Sequence, residues 1–298
     1  MDRPYYSLSD YCKDTFGEKL YRLSLNGGFT CPNRDGTLGY GGCIFCSGKG
    51  SGEFASDLSS SVEEQIENAK KKVAAKFKGS RYIAYFQSFT NTYASPDRLR
   101  ELYLPVVKRD DIAVLSIATR PDCLGSDVME VLLELKEYKP VWIELGLQSS
   151  NEKTAEYIRR GYETKIYDAA VEKLNSLGFE TITHVILGLP GETRDDTLET
   201  VRHVVEVKSH GIKLQLLHVI KDTDLAKEYL DGKFDVLTLE DYISILRECV
   251  SLLPKDMVVH RITGDGDKRT LIAPLWSADK KKVLNLINKA LSGNDQNL

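Results

Sequence analysis

Val141-Trp142-Ile143-Glu144-Leu145-Gly146-Leu147 is an almost wholly apolar run of strand length, and Thr181-Ile182-Thr183-His184-Val185-Ile186-Leu187 is another. Between them, residues 152–160 and 166–177 repeat apolar side chains at helical spacing, and Gly178 closes the second stretch. Such a strand–helix–strand unit pairs its strands in parallel through a right-handed crossover. Strands this apolar are covered on both faces. Outward from it the pattern repeats. Strands are predicted at 21–25, 82–86, 112–117 and 214–220, and helices at 62–77, 96–107, 126–138, 195–209 and 224–230. Ser95 caps the helix that opens at Pro96, Ser126 caps the next, and Gly211 closes the helix of 195–209. Six strands, each followed by helical material, give an α/β fold. The reading is a partial (β/α)6 barrel over residues 1–237, with a doubly wound open sheet as the other arrangement of the same pattern. From 238 to 298 the order changes to helix (239–253), strand (258–262), the turn-rich Thr263-Gly264-Asp265-Gly266-Asp267 and a last helix (279–291). This reads as a small C-terminal α/β cap.

The 298 residues carry 40 Lys+Arg against 44 Asp+Glu, a formal charge of −4. That argues against a globally basic nucleic-acid coat and leaves a local basic patch open. No apolar run approaches the roughly 20 residues of a membrane span. Met1-Asp2-Arg3-Pro4-Tyr5-Tyr6 lacks the apolar core of a secretory signal. The expected location is cytoplasmic, where cysteines serve metals or catalysis more often than disulfides.

In either architecture ligands gather beyond the carboxyl ends of the strands. The segments there are Asn26-Gly27-Gly28, Gln87 to Thr92, Ala118 to Asp122, Gln148-Ser149-Ser150, Gly188 to Glu192 and Lys221-Asp222-Thr223, all rich in small, polar or charged residues. The first opens a long irregular loop, residues 26–61, that holds three of the six cysteines. Cys31, Cys43 and Cys46 are spaced C-x11-C-x2-C among glycines that let a chain wrap closely around a metal centre. Three readings compete: unrelated buried thiols, a structural zinc site, and an iron–sulfur cluster. Zinc wants four ligands, yet Cys31 has no near partner and no histidine lies in the first 180 residues, so Cys12 would have to serve. An iron–sulfur cluster is held by thiolates in short runs that often carry a proline beside a ligand, as Pro32 is here. Three thiolates on a four-iron cluster leave one iron open.

With the cysteine loop following the first strand of an α/β barrel, the sequence resembles the radical S-adenosylmethionine (SAM) enzymes. The common spacing in that family is C-x3-C-x2-C. The longer form here, with Cys31-Pro32-Asn33-Arg34-Asp35-Gly36, Gly42-Cys43-Ile44-Phe45-Cys46, Tyr85-Phe86-Gln87, Thr90-Asn91-Thr92-Tyr93 and Ile272-Ala273-Pro274-Leu275-Trp276, resembles the bacterial YtqA/YhcC group. That group is similar to the radical SAM domain of the elongator catalytic subunit. The resemblance implies that Cys31, Cys43 and Cys46 ligate a 4Fe-4S cluster whose fourth iron is chelated by SAM. Reductive cleavage of SAM then gives a 5′-deoxyadenosyl radical that takes hydrogen from a substrate. It further implies SAM contacts from Gln87 and Ser88 after the second strand, from Glu144 and Gln148 at the end of the fourth, and from Arg160. Gly188 would let adenine approach the backbone. The implied substrate is tRNA, at the C5 side chain of the wobble uridine (carboxymethylaminomethyl to aminomethyl), with an electron donor such as flavodoxin or ferredoxin. A small metabolite or peptide substrate and a zinc-stapled binding protein without redox chemistry are the alternatives.

Outside these motifs, Cys12, Cys123 and Cys249 read as packing residues. His184 and His218 read as core histidines able to face the barrel interior. Arg120, Asp122 and Lys221 are candidate substrate contacts. Lys70, Lys71, Lys72, Lys76, Lys78 and Arg81 read as a solvated helix face, with a phosphate-backbone contact as the sharper reading, and Lys280 to Lys282 pose the same choice.

Overall fold

Runs with no polar face cannot sit at a surface, and the chain buries them in the middle of one sheet. In the computed structural model, which describes residues 4–50, 55–56, 60–77, 79–264 and 266–292, the strands are β1 (Tyr21–Leu25), β2 (Tyr82–Phe86), β3 (Ile112–Thr119), β4 (Val141–Gln148), β5 (Glu180–Leu187), β6 (Gly211–Leu216), β7 (Val219–Ile220), β8 (Val258–Arg261) and β9 (Leu271–Ala273). The helices are α1 (Leu8–Phe16), α2 (Val62–Val73), α3 (Pro96–Val107), α4 (Ser126–Lys136), α5 (Glu152–Tyr157), α6 (Thr164–Ser176), α7 (Arg194–Glu206), α8 (Asp224–Leu230), α9 (Leu239–Ser251) and α10 (Lys280–Leu291). Seven strands pair in parallel in the order β1-β2-β3-β4-β5-β6-β8, a curled half-barrel, while β7 and β9 form a separate antiparallel pair. The α/β barrel reading holds, and the open-sheet alternative falls.

Two apolar layers result. Outside the sheet, side chains such as Leu25, Phe86, Ile117, Ile143, Leu187 and Leu214 pack against the helices. Inside, Ile83, Tyr85, Val114, Trp142 and Ile182 form a smaller cluster near the amino ends of the strands. The helix α1, unforeseen in sequence, closes that end: Leu8, Tyr11 and Phe16 pack on the inner cluster, and the Tyr11 ring lies 5.9 Å from Trp142.

Several boundaries differ from expectation for local reasons. Ser126 is the first helical residue of α4, and the cap is Gly125, with no side-chain cap bond. Gly211 does not close α7; it begins β6. The predicted strand 214–220 is broken at Leu217-His218, so its last two residues turn away to pair with β9. The strand expected inside the cap is β8, which hydrogen-bonds β6 and becomes the seventh strand of the barrel sheet, while α9 and α10 pack outside. No helix among the described residues is long and apolar enough to cross a membrane.

Phe86 is fully buried and meets the Tyr103 ring edge-on at 4.9 Å. Phe86→Ala should cost roughly 3–5 kcal/mol through lost transfer energy and the cavity left behind. Urea unfolding reads this, and a loss under about 1 kcal/mol would refute tight packing of β2 on α3.

Candidate active site

The loop after β1 turns on short-range polar contacts, not on an apolar core. Cys31 carries the carbonyl that accepts from the Arg34 and Asp35 amides, and Asn33 carries the one that accepts from the Gly42 amide at 2.9 Å. The Arg34 guanidinium donates to the carbonyls of Cys46 and Ser47 at 3.0 and 2.6 Å and lies over the Phe89 ring. Gly42 has φ +83, and a Cβ there would stand 2.8 Å from Arg34 Nε, so this position requires glycine. The Asn33 amide donates to the carbonyls of Arg159 and Arg160 and lies 3.6 Å from Cys43 Sγ. Gly161, with φ +81, makes room for it. These contacts turn Cys31, Cys43 and Cys46 onto one cavity of about 250 Å³ at the carboxyl ends of the strands.

Strand-borne side chains form the other walls: Tyr85 and Gln87, Glu144 and Gln148, His184, and Arg261. The expected common face of Glu144 and Gln148 is thus the inner face of the barrel. Gln148 sits at a register shift in β4 with φ +67, and Phe89 after β2 has φ +59. Left-handed backbone at two non-glycine residues on one cavity is strain of the kind that collects at functional sites. Gln148 Oε1 and Ser88 Oγ are buried with no hydrogen-bond partner. A buried polar atom left unpaired is costly; Gln148 lines the cavity, so its Oε1 is an acceptor in want of a ligand, whereas Ser88, foreseen as a SAM contact, does not line it.

Beneath the cavity lies a charged layer. Glu144 accepts from Ser116 Oγ (2.8 Å), from His184 Nε2 (2.6 Å) and from the ammonium of Lys213, which also donates to the Tyr85 hydroxyl (3.1 Å). Burial alone would push the Glu144 carboxyl up; the Lys213 charge and the His184 hydrogen bond reverse this and hold it well below the usual carboxylate range. Burial draws the Lys213 ammonium down and Glu144 opposes it. Three donors converge on Glu144, so the pair is ionised. Burial first, then the Lys213 charge, lowers His184 to about 4, which leaves it neutral with its proton on Nε2 facing Glu144. Lys213 and Tyr85 were missed in sequence.

The arginines are otherwise employed. All five Arg160 donors are taken: by the carbonyls of Tyr162, Leu147 and Ser149, by Thr164 Oγ1, and by Glu152 at 3.5 Å. None is left for a SAM carboxylate, so Arg160 supports the wall it borders. Arg120 lines the cavity and is held bidentately by Asp122 at 2.9 and 2.7 Å. Lys221 is exposed and off the cavity, whereas His218 lines it. Cys12 is buried in the inner cluster by α1, away from the other thiols, so it cannot complete a zinc site with them. Gly188 has φ +85, and a Cβ there would stand 2.9 Å from Leu237 Cδ1; Gly188 does not line the cavity. Lys70 pairs with Glu67 and Asp111, and Arg81 with Glu18, so part of the basic run is neutralised; Lys78 lies outside the described residues, as does Asp265.

A curled parallel half-barrel with a three-cysteine loop after its first strand defines a class, and the chain belongs to the radical SAM superfamily: the model for that family matches residues 30–204, and the Radical_SAM C-terminal domain matches residues 209–292. It is similar to the uncharacterized protein YtqA of Bacillus subtilis, with 43% identity over 290 residues, 97% of this chain and 90% of that protein. It is also similar to the tRNA uridine(34) acetyltransferase of Methanocaldococcus jannaschii, with 26% identity over 154 residues, 51% of this chain and 28% of that protein. Among solved structures, the archaeal Elp3 of Methanocaldococcus infernus with an N-terminal deletion has the same fold, with a TM-score of 0.70 at 15% identity over 92% of this chain and 63% of that one.

Members of the family bind a 4Fe-4S cluster and SAM. The residues fit both. No group of three or more His, Cys, Asp and Glu among the described residues is arranged to hold a single metal ion, whereas a four-iron cluster takes one thiolate per iron. Cys43 Sγ lies beside the Asn33 amide and Cys46. The hydrogen bond with Cys46, with burial next, pushes it well above the usual range, so iron must displace its proton.

Cys43→Ala should abolish cluster assembly. Anaerobic reconstitution followed by iron, sulfide and visible absorbance analysis reads this, and a full complement of iron in the variant would exclude Cys43 as a ligand. Glu144→Gln should cost about 3–5 kcal/mol because it strands a buried ammonium, and adding Lys213→Met should restore most of that loss. Denaturant unfolding of both variants decides: equal losses in the single and double variants would deny the coupling.

Proposed function

We propose that this radical SAM enzyme acts on tRNA, at the C5 side chain of the wobble uridine, and converts the carboxymethylaminomethyl group to aminomethyl. The bond from nitrogen to the carboxymethyl carbon breaks, that two-carbon unit leaves as glyoxylate with its new oxygen from water, and the two reducing equivalents pass to SAM, which is reduced to methionine and 5′-deoxyadenosine. The observation that carries the reading is the similarity over 154 residues to an enzyme whose name places it at uridine 34, the wobble position. The matched share of that enzyme is 28%, so what is shared is the part that resembles this barrel. Cys31, Cys43 and Cys46 hold the 4Fe-4S cluster, and flavodoxin or ferredoxin reduces it.

When bound, the cluster and SAM supply a carbon radical able to take a hydrogen atom. The chain's own residues do the rest. Gln148 Oε1, on the cavity wall, offers an acceptor to donors of bound SAM. The inner apolar cluster and α1 keep bulk water from entering by the amino ends of the strands. Glu144, held ionised, keeps His184 oriented with its proton on Nε2, so the layer beneath the reacting groups has a fixed charge pattern.

Two measurements test the reading. Reconstituted protein with dithionite and SAM should release 5′-deoxyadenosine. Digested bulk tRNA from a strain lacking the gene should accumulate the carboxymethylaminomethyl nucleoside at the expense of the aminomethyl form. Unchanged wobble nucleosides, with 5′-deoxyadenosine still formed, would move the substrate to a metabolite or peptide. Zinc without iron or sulfide in anaerobically purified protein would defeat the enzyme itself.

A further inference from the structure

The inside of the barrel holds more positive charge than its own carboxylates balance. Three cations enter it: Arg22 from β1, Lys213 from β6 and Arg261 from β8. Both arginines lie near enough to act electrostatically on Lys213 and Tyr85. Glu144 is the carboxylate among them, and it is matched by Lys213. His184 is neutral and donates to that same carboxylate. The two guanidiniums are therefore in surplus. Arg22 is stacked 5.0 Å over the Tyr85 ring, and its Nε is buried with no hydrogen-bond partner. Arg261 lines the cavity and, among the described residues, has no ion pair. Gln215, two residues beyond Lys213 on the same face of β6, lines the same cavity.

Arg22 and Arg261 are partly buried and make no ion pair among the described residues, and a ligand that brings negative charge to them is favoured. A guanidinium fork matches the two oxygens of a carboxylate. The cavity lies at the carboxyl ends of the strands, where a terminal side-chain group can reach Arg261. We propose that Arg261 binds a carboxylate carried by the substrate at the β8 side of this cavity, with Arg22 behind Tyr85 adding to the positive field. Arg261 is then a specificity-determining residue that separates a side chain ending in a carboxylate from one ending in an amine. The inference rests on the tRNA reading for its natural ligand, since 5-carboxymethylaminomethyl-uridine carries one carboxylate and the aminomethyl form carries none.

The test is equilibrium binding of two anticodon stem-loops to the anaerobic, cluster-loaded protein with SAM. One carries 5-carboxymethylaminomethyl-uridine and the other 5-aminomethyl-uridine at the wobble position. Wild type should prefer the first by about tenfold or more. Arg261→Gln should bind the two alike, and Arg261→Lys should keep part of the preference, because it retains the charge and loses the fork. Equal affinity of the wild type for both RNAs, or an undiminished preference in Arg261→Gln, overturns the subsite and leaves the tRNA reading standing. A parallel loss of SAM affinity in Arg261→Gln assigns the residue to the carboxylate of SAM and also overturns it. If neither RNA binds, the tRNA reading fails, and acetate decides the subsite. At constant ionic strength acetate should raise the unfolding midpoint of the wild type and not of Arg261→Gln; equal responses overturn it.

Discussion

Lys213 on β6 reaches across the inside of the sheet to Glu144 on β4, and both are almost wholly buried. A contact of this kind is expensive to build, because each ion is stripped of water, and more expensive to leave half-built. It therefore fixes a curvature: β4 and β6 must curl toward each other far enough for the two side chains to meet. The curl is what turns a parallel sheet into a half-barrel with an inside. Tyr85, Ser116 and His184 complete the same layer from β2, β3 and β5. Below it the interior is apolar and closed by α1; above it the interior is a cavity. The charged layer is the boundary between the part of the barrel that holds the fold and the part that can hold ligands.

The second requirement is met by a loop with little core of its own. Cysteine ligands must present thiolates to separate irons, which needs a particular backbone path. Here that path is set by Asn33, Arg34 and Gly42 through carbonyl and amide contacts. Asn33 is the joint: it bonds the carbonyls of Arg159 and Arg160, and the Arg160 guanidinium in turn grips the carbonyls at the end of β4. The loop is thus referenced to β4, where Gln148 sits in left-handed backbone. Arg160 serves this framework, which accounts for a buried guanidinium beside the cavity without any ligand for it.

Much of this was legible. The strands of 21–25 and 82–86 stand at their expected bounds because their residues are apolar and flanked by loop-forming sequence. The cysteine loop stood out because three thiols lie among glycines in the one long irregular segment, and the structure turns all three onto one cavity. Helix ends were overrun by up to a turn at Phe77, Tyr138 and Ser209, since apolar spacing continues past the last hydrogen-bonded turn. The short α1 was not foreseen, and the strand read at 258–262 was placed in the cap rather than beside β6, because both depend on partners far along the chain. The Glu144–Lys213 pair is 69 residues apart in sequence. Each is a single charge inside an apolar strand run, Ile143-Glu144-Leu145 and Ile212-Lys213-Leu214. Two such lone opposite charges in interior strands, here separated by β5, were the available signal. The carbonyls held by Arg160 were not legible, because sequence shows a cation near a site but not what its guanidinium bonds.

The place of β8 has a consequence for how the molecule is made. The six strands from β1 to β6 leave the ribosome in spatial order, each able to add to the edge left by the one before, but β6 waits for residues 258–261 to cover its far side. Until then the nascent sheet ends in an open strand edge, a ready template for pairing with another chain. All three cluster thiols, at 31, 43 and 46, have emerged long before. The growing polypeptide thus offers its sulfur ligands to iron while its sheet is still unfinished, and the order of synthesis leaves the completion of the barrel as the last event.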